Sequence, residues 1–149
     1  MQPVYITGHS RPVRKVMHNH DGDLLFSCSD DGTVCMFSTL QCERIGVFEI
    51  KQACRSIDVS KDSKLLIACA TTIGFHVFNI ENGQMMKTVA VPGLQAKHVS
   101  LSYSDKEILV LYDESKRSYI RIYSMKDVMA EKSDKDVKPS TEIACSTDY

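Results

Sequence analysis

The sequence contains no tryptophan, so large aromatic anchors can come only from its 5 Phe and 6 Tyr. It also lacks an excess of either charge, with 18 Lys and Arg against 19 Asp and Glu. A binder of phosphate backbones usually shows a basic stripe and a high pI, so direct nucleic-acid binding is not expected. There is no acidic tail either. Six cysteines occur, none in a Cys-x-x-Cys pair, and the seven-residue steps from Cys28 to Cys35 to Cys42 do not match zinc-knuckle spacing. Apolar runs stay at strand length: Leu65-Leu66-Ile67-Ala68-Cys69-Ala70 falls far short of the ~18 residues that span a bilayer. The N-terminal MQPVYITGHS has neither a basic n-region nor an apolar h-region, so it does not read as a signal peptide. These absences predict a soluble cytoplasmic or nuclear chain, the cytoplasm being favoured, with reduced thiols and no membrane partner. Most of the cysteines sit in apolar runs and should pack as small hydrophobes. Neither GxxxxGK[ST] nor GxGxxG nor GxSxG is present, so no cofactor loop or nucleophile elbow is expected.

An internal repeat is present. Leu24-Leu25-Phe26, Leu65-Leu66-Ile67 and Ile108-Leu109-Val110 are offset by 41 and 43 residues. Val34-Cys35-Met36-Phe37, Phe75-His76-Val77-Phe78 and Ile120-Arg121-Ile122-Tyr123 form a second set, whose end residues are offset by 41 and 45. A third set precedes each unit: Val13-Arg14-Lys15-Val16, Arg55-Ser56-Ile57-Asp58-Val59 and His98-Val99-Ser100-Leu101. These blocks are rich in β-branched and aromatic residues, and several alternate apolar with polar. Turn signals separate them, among them His20-Asp21-Gly22-Asp23, Asp30-Asp31-Gly32-Thr33 and Ser104-Asp105-Lys106-Glu107. A fourth strand closes each unit at 44–48, 86–91 and 142–145. Four short strands every forty-odd residues describe a propeller blade. A meander sandwich also repeats strands every ~8–12 residues, but it gives no reason for a three-fold match at this longer period. The predicted fold is therefore all-β, a propeller fragment of about three four-stranded blades. Blade 1 covers about residues 8–48, blade 2 about 53–91, and blade 3 about 96–146 with a polar loop at 126–140. Val4-Tyr5-Ile6 is expected to be an outer strand.

Gly8-His9 ahead of the first strand, followed by Asp31-Gly32-Thr33-Val34-Cys35-Met36-Phe37, resembles the WD40-type repeat, with Phe37 in the place of the family's Trp and Ser38 in that of its Asp. Phe78-Asn79 and Tyr123-Ser124 stand in the same place in the later units. Pro3-Val4-Tyr5-Ile6-Thr7-Gly8-His9, Gly22-Asp23-Leu24-Leu25-Phe26 and Glu43-Arg44-Ile45-Gly46 extend the resemblance to the i-subunit family of eukaryotic translation initiation factor 3. The resemblance implies a non-catalytic scaffold in translation initiation. The implied partners are the b and g subunits and, through the complex, the 40S ribosome. It also implies a ring of about seven blades, of which three are present. Strand edges left open in such a partial ring invite self-association. The alternatives are a different WD-repeat adaptor and, less favoured, an enzyme on the same fold.

The resemblance assigns a buried hydrogen-bond chain to a His before the first strand, a Ser or Thr on the second, an Asp in the following turn and the Trp of the third. The candidates are His9, Ser27 or Ser29, and Asp31; the assigned set is His9, Ser29, Asp31 and Phe37. Phe37 has no donor, so the chain should end early. The same residue types could form a Ser-His-Asp triad, but nothing else in the sequence supports one. No catalytic, cofactor or metal residue is assigned. His18 and His20 could ligate a metal but have no third ligand nearby in sequence, so an exposed turn is expected. His76 and His98 are read as core or flank histidines. The stretch from Lys126 to Pro139, which contains Glu131-Lys132-Ser133-Asp134-Lys135-Asp136, is read as a solvated loop, with a docking insertion as the less favoured reading.

Overall fold

The computed structural model describes residues 2–130 and 137–146. In chain order the described elements are β1 (Val13–His18), β2 (Leu24–Ser29), β3 (Thr33–Ser38), β4 (Glu43–Glu49), β5 (Ile57–Val59), β6 (Leu65–Ala70), β7 (Gly74–Asn79), β8 (Met85–Ala90), β9 (Gln95–Leu101), β10 (Glu107–Glu114), β11 (Arg117–Ser124), α1 (Met125–Ala130) and β12 (Thr141–Ser146). The strands make three four-stranded sheets, each ordered by sequence: β1-β2-β3-β4, β5-β6-β7-β8 and β9-β10-β11-β12. All pairs are antiparallel, as short hairpin links require. This is the all-β architecture of three blades expected from the sequence.

The repeat is visible in the pairing register. Leu25 pairs with Phe37 in the first blade, and Leu66 with Phe78 in the second, 41 residues on. Ile108 pairs with Tyr123 in the third. The irregularity between Met36 and Phe37 recurs between Val77 and Phe78, so both blades take an extra local twist at one repeat position.

Each side of the middle blade is covered by a neighbour. Phe26, Cys28, Val34 and Phe48 of blade 1 pack with Ile57, Leu66, Ala68 and Phe78 of blade 2. The other side of blade 2 presents Ile67, Cys69, Phe75, Val77 and Val89 to Val99, Ile108, Val110, Tyr112 and Tyr123 of blade 3. This explains why Leu65–Ala70 is continuously apolar: a strand buried on both faces has no reason to alternate. Cys28, Cys35, Cys54 and Cys69 are buried free thiols, packed as small hydrophobes.

Two expectations need correction. Val4-Tyr5-Ile6 forms no strand and is exposed, because it has no described strand to complete its hydrogen bonds. The polar loop expected at 126–140 begins instead with α1. Met125, Val128 and Met129 fall at helical spacing and pack against the core between blades 2 and 3, with Val128 fully buried. Residues 131–136 lie outside the described residues. Among the described residues, no helix is long and apolar enough to cross a membrane.

Candidate functional site

The polar centre of blade 1 lies where residues 8–11 cross the turn between β2 and β3. Gly32 makes that turn possible, with φ +84. Its carbonyl accepts from the N–H groups of Ile50 (2.8 Å) and Lys51 (3.1 Å), tying the turn to the end of blade 1. Asp31 then points back at the incoming chain.

His9 bridges Asp31 and a serine. Its Nδ1 is 3.0 Å from Asp31 Oδ2, and its Nε2 is 2.7 Å from Ser27 Oγ. A carboxylate only accepts, so in the neutral imidazole Nδ1 carries the hydrogen and Nε2 accepts from the Ser27 hydroxyl. Asp31 also accepts from Ser10 N–H (3.1 Å), Thr33 N–H (2.9 Å) and Thr33 Oγ1 (2.6 Å).

Of the assigned residues, His9 and Asp31 are in side-chain contact, while Ser29 bonds to the Asp31 backbone and not to His9. The Ser29 hydroxyl donates to Arg11 O at 3.0 Å and accepts from Asp31 N–H at 3.1 Å. The serine on His9 is Ser27. Strand alternation gives the reason only in part, since 27 and 29 share a face; β2 runs toward the turn, and Ser29 is spent holding the lead-in backbone. Phe37 is buried and lies against Gly8, where an added Cβ would come within 3.0 Å of the Phe37 ring. Thr33 was missed by sequence reasoning, although Asp-Gly-Thr places its hydroxyl two residues from Asp31.

Burial alone would raise the Asp31 pKa, but hydrogen bonds from Thr33, Ser10 and His9 outweigh it and bring it from 3.8 to about 2. A carboxylate depressed in the folded state stabilises fully above its unfolded value and loses that contribution as pH falls through the folded one. Asp31→Asn is therefore expected to cost about 2 kcal/mol near neutrality. The cost should shrink as pH falls from 3.8 toward 2. Urea melts of both chains across that range check this; a pH-independent difference would contradict it.

A second set of polar contacts joins the blades. Lys15 Nζ donates to Ile57 O at 2.9 Å, 42 residues on. Ser56 Oγ lies 3.1 Å from His98 Nδ1, again 42 residues on. Asp58 Oδ2 accepts from Leu101 N–H at 2.7 Å, 43 residues on. Asn19 Nδ2 donates to Ser63 Oγ (2.9 Å) and Lys61 N–H to Asp105 Oδ2 (2.7 Å), both 44 residues on. The partners sit about one repeat apart because one step of the repeat carries a residue onto the next blade. That spacing was the available signal in the sequence.

The remaining histidines are scattered. His18 and His20 are exposed at the end of β1 and in the next turn. His76 is buried in β7, with Nδ1 2.8 Å from Thr88 Oγ1. His98 is exposed on β9, not in the core, because β9 leads its blade with no strand beyond it. Among the described residues, no group of three or more His, Cys, Asp or Glu could hold a metal.

The family described as "WD domain, G-beta repeat" matches residues 1–38. Eukaryotic translation initiation factor 3 subunit I of Schizosaccharomyces pombe is 30% identical over 115 residues, 76% of this chain and 35% of its own length. The Dictyostelium discoideum subunit I is 34% identical over 114 residues, 76% of this chain and 34% of its own. The Aspergillus terreus subunit I is 29% identical over 149 residues, 98% of this chain and 44% of its own. The chain thus spans from about a third to under half of the length of these curated relatives. In fold and in sequence the chain is similar to WD-repeat proteins, through its first 38 residues to the WD-repeat family and over most of its length to subunit I of eukaryotic translation initiation factor 3.

Proposed function

We propose that the chain is a non-catalytic protein-binding scaffold of translation initiation, working in the cytoplasm as part of the initiation factor 3 complex. The observation that carries this reading is the similarity to subunit I over 98% of the chain. The blades supply the mechanism: three sheets locked by two apolar cores hold their loops and outer strands in fixed positions for partners. The proposed partners are the b and g subunits, with the 40S ribosome reached through the complex.

Ser27, His9 and Asp31 share the connectivity of a hydrolytic triad, which makes an enzyme the second reading. Their setting favours the structural role. Ser27 is buried in β2, which pairs on both sides with β1 and β3, so its backbone donors are spent in ladders and not aimed at a reacting oxygen.

A tagged chain used as bait in eukaryotic extract, with mass spectrometry of what it retains, tests the assignment. Enrichment of the b and g subunits is the expected result. Capture of an unrelated complex would replace it with another WD-repeat adaptor.

A further inference from the structure

The first strand of each blade carries a cation at one repeat position, and each time an irregularity of the pairing singles it out. Val13 pairs with Ser29 and Lys15 with Cys28, so Arg14 is an extra residue between them. Ala96 pairs with Tyr112 and His98 with Leu111, which leaves Lys97 as the extra residue. In blade 2, Thr71 N–H donates to Ala53 O (3.3 Å) and Cys69 N–H to Ser56 O (3.0 Å), so three steps of chain face two on β6, with Arg55 in the interval. Bulges of this kind re-aim a side chain. The residue facing the cation differs in the middle blade. Asp30 follows Ser29 in blade 1 and Asp113 follows Tyr112 in blade 3, but the equivalent residue of blade 2, after Ala70, is Thr71. Arg14 Nε donates to Asp30 Oδ1 at 2.9 Å, and its Nη2 donates to the other carboxylate oxygen. Lys97 and Asp113 line one recess. Thr71 brings no charge; its hydroxyl donates to Ala53 O at 2.6 Å. Arg55 is exposed, and its own blade gives it no carboxylate at this position. The nearest acid is Asp30 of blade 1, whose carboxyl is held below the usual carboxylate range chiefly by the hydrogen bond from Arg14, with Arg55 and Arg11 adding to it.

A cleft of about 340 Å³ lies between Arg11 and Lys51, with Ala53, two residues before Arg55, in its wall. Asp30 and Asp31 also line it, but Arg14 takes up the first, and His9 and Thr33 the second. Segments 8–15, 30–33 and 49–56, which build this end of the blades, carry five Lys and Arg against three Asp and Glu, in a chain with 18 against 19. We propose that this end of blades 1 and 2 binds an acidic peptide segment of a partner protein, one side-chain carboxylate seated on Arg55 and the adjoining residues in the cleft between Arg11 and Lys51. A guanidinium forks onto a carboxylate through two parallel N–H bonds, the arrangement Arg14 already makes with Asp30. The peptide supplies to blade 2 the carboxylate that blades 1 and 3 carry in Asp30 and Asp113. Arg55, the centre of the site, belongs to the middle blade, which has a neighbour on each side. The proposal rests on the scaffold reading for the class of ligand, a protein, and does not depend on a role in translation.

Fluorescence anisotropy of labelled hexaglutamate with the 149-residue chain at low salt tests it. Hexaglutamate should bind and hexaglutamine should not. Arg55→Glu should weaken hexaglutamate binding about tenfold or more, the scale of one hydrogen-bonded charge contact. Lys64→Glu makes the same change of charge at the other end of blade 2 and should alter binding by less than about twofold. Both residues are exposed, so circular dichroism should show both variants folded. Equal losses in the two variants would mean a response to net charge alone and would overturn the site, as would an absence of hexaglutamate binding. Tighter binding of an oligouridylate of equal charge, lost in Arg55→Glu, would overturn the peptide reading and assign the site to nucleic acid. Capture of initiation factor subunits from extract by a chain that does not bind hexaglutamate would refute this site and leave the scaffold reading in place.

Discussion

Gly74→Ala is expected to destabilise the chain more than any other single glycine substitution considered. Gly74 opens β7 at φ +147, a region open essentially to glycine alone. An added Cβ would lie 2.0 Å from Val89 O and 3.1 Å from Val89 C. Both atoms are backbone of the neighbouring strand, so relief requires separating β7 from β8 in the one blade that is flanked on both sides. Strain plus lost pairing should cost about 4 kcal/mol or more, a large share of the roughly 5–15 kcal/mol that holds a domain of ordinary stability. Gly83→Ala is the control. Gly83 is also at positive φ, +73, but has nothing within 4 Å of the added Cβ. Its cost should be about 1 kcal/mol, from backbone conformation alone. Thermal melts followed by circular dichroism separate the two. Equal effects would mean that the close approach to Val89 is not made in solution.

The second large effect is expected at Phe75. Its ring is fully buried between blades 2 and 3 and meets Tyr123 edge-on, with centroids 5.2 Å apart and planes at 66°. Phe75→Ala removes most of a side chain from a site walled by two sheets that cannot collapse onto the void. Such truncations cost about 3–5 kcal/mol. The urea midpoint should fall accordingly, with the slope unchanged if the unfolded state is the same. Leu40→Ala, at a side chain 90% exposed, should move it by no more than about 0.5 kcal/mol. A Phe75→Ala loss as small as that of Leu40→Ala would contradict the packing of blade 2 on blade 3.

Both predictions rest on features that differ in how far sequence reveals them. The strands of blades 1 and 2 were legible because apolar blocks recur at a 41-residue offset and turn residues separate them. Gly74 was not singled out, since its need for glycine arises from the backbone of a strand paired only after folding. Pairing decides whether Val4-Tyr5-Ile6 is a strand, and its β-branched and aromatic character could not supply a partner. Charge masked α1: Lys126, Asp127 and Glu131 suggested a solvated loop, while Val128 and Met129 bind the segment to the core.

The site shows the same division. His9 and Asp31 were found because the Gly-His and Asp-Gly-Thr pieces are contiguous in sequence. The choice between Ser27 and Ser29 was not legible, because both point to one side of β2 and only the path of residues 8–11 assigns one to His9 and the other to Arg11 O. Contacts between blades, such as Lys15 with Ile57 and Asp58 with Leu101, follow from the period once the blades are known to stack in order.

The most direct test of the scaffold role compares the wild-type chain with Gly74→Ala as bait for initiation factor 3 in the same extract, at a temperature where circular dichroism shows the variant melted and the wild-type chain folded. If folded blades make the binding surface, the wild-type chain retains the b and g subunits and the variant loses them, with chaperones in their place. Equal retention by both chains, or none by a wild-type chain shown to be folded, would contradict a scaffold whose recognition depends on the stacked blades.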